Sequence, residues 1–213
     1  MNDNKAYRII AIIALVLGAV GVTLGYAAFS STLTINSSAE VHPDPSTFNV
    51  DFSSSNSAVV ANNITPTLSP NDGSVTATAA TIDNTNAPTI SNLSATFTAP
   101  GQSATYSFYA YNAGQYIAYL NSIAFTGNKT CTAATGTTQS LVDSACNGIS
   151  LSVTVGTEAA TTTSVPSISS HSLGINDAEQ ITVVIDYAAN SAIADGNFTV
   201  TLPSIVLTYE SAD

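Results

Sequence analysis

The chain has 213 residues, of which 14 are acidic and 3 basic, for a formal net charge of −11. Two of the three bases, Lys5 and Arg8, precede the first long apolar run and only Lys129 follows it, which excludes charge-driven binding to nucleic acid or to anionic lipid headgroups. Charged residues are only 8% of the chain, so Ser, Thr and Asn must build the polar surface, while a hydrophobic fraction of 45% is enough for a packed core and excludes a disordered chain.

The first element is an uncharged stretch over residues 9–29, 21 residues long, with Lys5 and Arg8 on its N-terminal side. At 1.5 Å per residue it matches a hydrocarbon layer of about 30 Å, and the flanking bases orient it with everything downstream exported. Gly25 and Ala27 place small residues where a signal peptidase requires them, so cleavage is expected between Ala27 and Ala28; a retained single-pass anchor is the alternative. The expected plan is a signal peptide or anchor over 1–27, an N-terminal strand and Pro-containing linker over 28–46, and a β-domain over 47–213.

Past residue 30 the apolar period becomes two. Leu33, Ile35, Ala39 and Val41 fall on one face of a first strand, and Pro43 and Pro45 then interrupt it, separating it from the body. Alternation resumes at Phe48, Val50 and Phe52. Residues 53–92 are rich in Ser, Thr, Asn and Ala and offer one weak strand near Val75, Ala77 and Ala79. Ala104, Tyr106, Phe108 and Ala110 alternate strongly, Asn112-Ala113-Gly114 turns the chain, and residues 117–125 return, so 103–126 is expected to be a hairpin. Later strands are expected over 149–155, 181–187 and 198–209, with turn-rich loops over 127–147, 156–175 and 188–196. Eight to ten short strands and no sustained 3.6-residue period after residue 30 point to an all-β sandwich behind one N-terminal hydrophobic helix.

Cys131 and Cys146 are the sole cysteines and lie 15 apart, so an oxidising compartment is expected to join them; two buried thiols are the alternative. His42 and His171 are too isolated for a zinc motif, no Gly-x-Ser-x-Gly elbow or phosphate loop occurs, and no catalytic residue, cofactor or metal is expected. The acidic turns at Asn71-Asp72-Gly73, Asp83-Asn84-Thr85-Asn86 and Asn176-Asp177-Ala178-Glu179 lack calcium-loop spacing and read as ordinary Asx turns.

The junction Gly25-Tyr26-Ala27-Ala28-Phe29-Ser30-Ser31-Thr32-Leu33-Thr34-Ile35, an apolar helix running into an alternating strand, resembles the TasA/camelysin-like secreted proteins of Gram-positive bacteria, with Ser31 standing where many members carry an acid. Ala99 to Phe108, followed by Asn112-Ala113-Gly114, looks like a hairpin of bacterial surface Ig-like modules. The resemblance implies an Ig-like or jelly-roll sandwich at the cell surface or in a biofilm matrix, with the strand after the cleavage site donated to the next subunit. Leu33, Ile35, Ala39 and Val41 would then be the donor positions. The expected function is a secreted, non-enzymatic structural protein whose partner is itself, with cell-envelope components as further partners and membrane contact only through residues 9–29 if they are retained. The alternatives are a type IV pilin-like subunit that keeps its helix and an anchored adhesin or carbohydrate-binding module presenting Tyr109, Tyr111 and Tyr116.

Overall fold

The computed structural model describes residues 30–35, 48–85, 87–168 and 171–211, and for residues 30–35 the backbone alone is described. The expected N-terminal helix, the Ala27/Ala28 junction, and Ala39 and Val41 lie outside the described residues. Among the described residues no helix is long and apolar enough to cross a membrane.

The described residues are all-β apart from one short helix. In order, its strands are β1 Ser30–Ile35, β2 Val50–Ser53, β3 Thr67–Ser69, β4 Thr76–Ala77, β5 Thr81–Asp83, β6 Thr89–Ser91, β7 Ala95–Thr96, β8 Gln102–Asn112, β9 Ala118–Thr126, β10 Thr130–Ala133, β11 Ile149–Val155, β12 Glu158–Thr161, β13 Ser172–Leu173, β14 Ala178–Tyr187, β15 Phe198–Thr201 and β16 Ser204–Ser211. The helix, α1, is Gln139–Cys146.

Two six-stranded sheets carry the fold. The first runs β13-β9-β16-β1-β6-β5; the second runs β12-β11-β14-β8-β2, with β3 also pairing with β8. Short pairs, β4 with β7 and β10 with β15, stand outside them. Period-two alternation explains the layers. Along β14, Ile181, Val183, Ile185 and Tyr187 are buried while Thr182, Val184 and Asp186 are half-buried, and β8 buries Ala104, Tyr106, Phe108 and Ala110 in the same way. Facing them from the other sheet are Ile205, Leu207 and Tyr209 of β16 and Leu120 and Ile123 of β9, and all join one core with Phe48, Phe52 and Ile90. Phe52 and Phe108 meet edge to face at 5.3 Å between ring centroids.

The expected hairpin over 103–126 is not one. β8 pairs with β14, β2 and β3, whereas β9 pairs with β16 and β13, so the two strands lie in opposite sheets. Alternation is the same whether two arms pair edge to edge or face each other across a core, and the crossover is held by Asn112. This fully buried side chain donates from Nδ2 to the carbonyls of Tyr116 (2.8 Å) and Leu173 (3.0 Å), and its Oδ1 accepts from Gly114 N–H (3.0 Å). Gly114 has no room for a Cβ, which would lie 2.6 Å from Asn49 N.

The segment 127–147, expected as loop, contains β10 and α1. Two turns of helix are too short to register as a 3.6-residue period. The helix is capped from a distance: Asp195 accepts from Thr138 N–H (2.9 Å) and Thr138 Oγ1 (2.6 Å), and Lys129 Nζ donates to the carbonyls of Cys146 (2.6 Å) and Ile149 (2.5 Å) at the other end. The expected disulfide is present, with Cys131 and Cys146 joined at a Cα separation of 6.0 Å and β10 thereby tied to the end of α1. Residues 156–175 similarly contain β12 and β13. The run expected over 198–209 is split at Pro203: β15 pairs with β10, whereas β16 pairs with β1 and β9.

Candidate functional site: the slot held by the first strand

β1 is an interior strand of its sheet. It pairs antiparallel with β16 over its whole length, from Ser30 opposite Glu210 to Ile35 opposite Ile205, and parallel with β6 through Thr34 opposite Thr89 and Ile35 opposite Ile90. Leu33 and Ile35 thus stand in register with Leu207 and Ile205, which are fully buried core residues. This strand, the first among the described residues, separates two parts of the sheet: β13, β9 and β16 on one side, β6 and β5 on the other. Without β1, both β16 and β6 would present unpaired backbone to a slot one strand wide.

Beyond the Ile35 end of this slot lies a cleft of about 420 Å³ of mixed lining, with Leu93, Phe97, Val200 and Leu202 beside Ser94 and Thr201. Leu93 is three residues past Ile90 on the β6 side and Leu202 is three before Ile205 on the β16 side, so the cleft continues the slot.

At the other end the slot adjoins a partly buried polar chain. Tyr209, opposite Ser31, donates its hydroxyl to Glu179 Oε1, and Glu179 Oε2 in turn contacts His171 Nε2. The chain links β16 of one sheet to β14 of the other and to the approach to β13. Gly156 closes over it, since a Cβ there would lie 2.8 Å from His171 Cε1 and 3.1 Å from Glu179 Oε2. Burial first, then the neighbouring carboxylate charge, pushes the Tyr209 hydroxyl pKa well up, so this phenol stays a donor. Nothing in the spacing announced the cluster: its members are 8 and 30 residues apart along the chain.

The other candidates from the sequence are placed as follows. Asp72 accepts from Ser74 N–H (2.9 Å) and Ser74 Oγ (2.5 Å), Asp83 accepts from Thr85 N–H (2.9 Å), and Glu179 belongs to the partly buried chain, so these acids serve turns and core. Tyr109, Tyr111 and Tyr116 do not form an exposed row: Tyr111 is buried, Tyr109 is half-buried and only Tyr116 is substantially exposed. Among the described residues no group of three or more His, Cys, Asp or Glu side chains is arranged to hold a metal ion. No family model, no curated protein and no solved structure matches the chain.

Proposed function

We propose that this chain is an exported, non-enzymatic structural subunit that assembles with copies of itself by exchanging its first strand. The position of β1 carries the reading: the strand sits inside a sheet rather than at its edge, yet is the first strand among the described residues and is set apart in sequence from the rest by a segment carrying Pro43 and Pro45. A strand of that kind is the natural object of exchange, because an identical strand from a second copy makes the same backbone bonds in the same slot. Reach is sufficient. The twelve residues 36–47 span about 40 Å when extended, at ~3.3–3.6 Å each, and a folded body of this size has a radius of gyration of about 15 Å. The disulfide fits an oxidising compartment outside the cytoplasm. We read the two broad sheets as a jelly-roll rather than an Ig-like arrangement, and the cell surface or a biofilm matrix as the setting.

The acidic surface bears on when assembly occurs. After residue 28 the chain carries 13 acids against Lys129, so copies repel at neutral pH, over a Debye length of ~10 Å in 0.1 M salt and ~30 Å in 0.01 M. Acid, salt or a divalent cation should promote ordered association.

The test is a cysteine pair at Thr34→Cys and Val206→Cys, opposite one another in register. After oxidation of assembled material across pH 4–8, with and without calcium, the two positions should be linked between different chains. Linkage only within single chains, or a species that stays monomeric throughout, overturns the reading and favours an anchored monomeric module.

A further inference from the structure

Among the described residues the second sheet ends at β2, whose ladder is with β8. An edge strand directs the N–H and C=O of alternate residues outward, where another strand can pair with them. At Phe52 both groups are already engaged, by a side chain rather than by a strand. Phe52 N–H donates to Asn84 Oδ1 (3.2 Å), and Phe52 C=O accepts from Asn84 Nδ2 (2.8 Å). Two residues on, Ser54 N–H donates to the Val60 carbonyl at 2.9 Å, as the loop after β2 folds back on it.

The Asn84 carboxamide therefore makes both bonds that a neighbouring antiparallel strand would make to Phe52. A carboxamide is a side-chain copy of the peptide group, with one acceptor and a donor on the same plane. Aspartate, when ionised, would supply no donor. The contact is not a local turn, since Asn84 follows β5 in the opposite sheet, 32 residues from Phe52.

We infer that Asn84 is an edge guard: it occupies the strand-addition position on β2 and prevents a second copy of the chain from pairing there. This does not rest on strand exchange through the β1 slot, because a monomeric protein needs the same protection. If exchange does occur, the guard removes the β2 edge as a competing place for strand pairing.

The experiment compares full-length wild type, Asn84→Ala and Asn84→Asp by sedimentation velocity over a concentration series, together with amide hydrogen exchange at Phe52. Tyr106→Phe, a variant weakened elsewhere, serves as the comparator for loss of stability. Asn84→Ala should associate at a concentration at least about tenfold below wild type, the factor expected when roughly one hydrogen bond's worth of pairing becomes available. Its Phe52 amide should exchange faster in the monomer and regain protection in the associated form. Asn84→Asp, which keeps the acceptor and loses the donor, should fall between. The inference is overturned if Asn84→Ala associates no more readily than wild type, if it associates with Phe52 still exchanging, or if Tyr106→Phe associates equally well.

Discussion

Replacing Tyr106 with Phe removes a single oxygen from the middle of the fold. Tyr106 is fully buried on β8, and its hydroxyl lies 2.8 Å from the Thr78 carbonyl and 2.7 Å from the Ser94 carbonyl while accepting from Ser94 N–H at 3.2 Å. It is thus the peg that fastens the β4–β7 pair, which otherwise has no ladder to either large sheet, onto the central strand. With one hydrogen the hydroxyl satisfies one carbonyl at a time and one N–H, so its loss strands two polar groups. Each stranded buried group costs about 1–3 kcal/mol, but Thr78 and Ser94 are themselves exposed, so water will reach part of what is lost. The expected destabilisation is therefore about 1.5–3 kcal/mol, or roughly 3–12 °C in Tm at ~2–4 °C per kcal/mol for a domain of this size. Urea unfolding and calorimetry measure it, and hydrogen exchange at Ser94 should accelerate before the core opens. Tyr109→Phe is the control, because Tyr109 has no hydroxyl partner among the described residues and should change stability by less than ~0.5 kcal/mol. A Tyr106→Phe effect as small as the control's would refute the peg and leave the β4–β7 pair held by apolar packing and by the bonds of Gln102 to Ser74 and Thr98.

Two further predictions follow from the same geometry. Replacing Cys131 and Cys146 by Ser should cost about 3 kcal/mol on the chain-entropy model for a loop closed over 15 residues, read by thermal unfolding of oxidised wild type against the double variant. Asp51, whose carboxyl pKa is raised by burial despite the bond from Asn49 Nδ2 at 2.9 Å, opposes folding once ionised. Its folded value lies above the unfolded 3.8, so the native state loses stability as pH rises from about 3.8 through the raised value; Asp51→Asn should accordingly raise Tm at pH 7 and leave it unchanged below pH 3.8.

A strand exchange that merely replaces one copy of β1 by another exchanges like for like. Association still costs about 4–15 kcal/mol in lost translational and rotational freedom. Contacts that exist only between copies must offset that term, and the cleft at the Ile35 end of the slot is a place where such contacts can form. The acidic surface works against such contacts at neutral pH and low salt.

Period-two alternation made the main strands legible from the residues alone. Ile181, Val183 and Ile185, or Ala104, Tyr106 and Phe108, alternate because one face meets a core, and their burial follows that parity. The cysteine pair was legible too, since two cysteines alone in a chain have only each other to pair with. Alternation is silent about which edge a strand pairs with, and this is why β8 and β9, adjacent in sequence with a turn between them, read as a hairpin and lie in opposite sheets. The helix α1 escaped notice because its caps, Asp195 and Lys129, come from distant segments. The Tyr209, Glu179 and His171 chain and the Asn84 bonds to Phe52 join residues whose separations carry no motif. Composition and periodicity, which act locally along the chain, determined an all-β, acidic, disulfide-linked protein. Strand order, the slot around β1 and the guarded edge at β2 were decided by the tertiary structure, because backbone hydrogen bonds are identical for every residue and only the packing of both faces selects among the partners they allow.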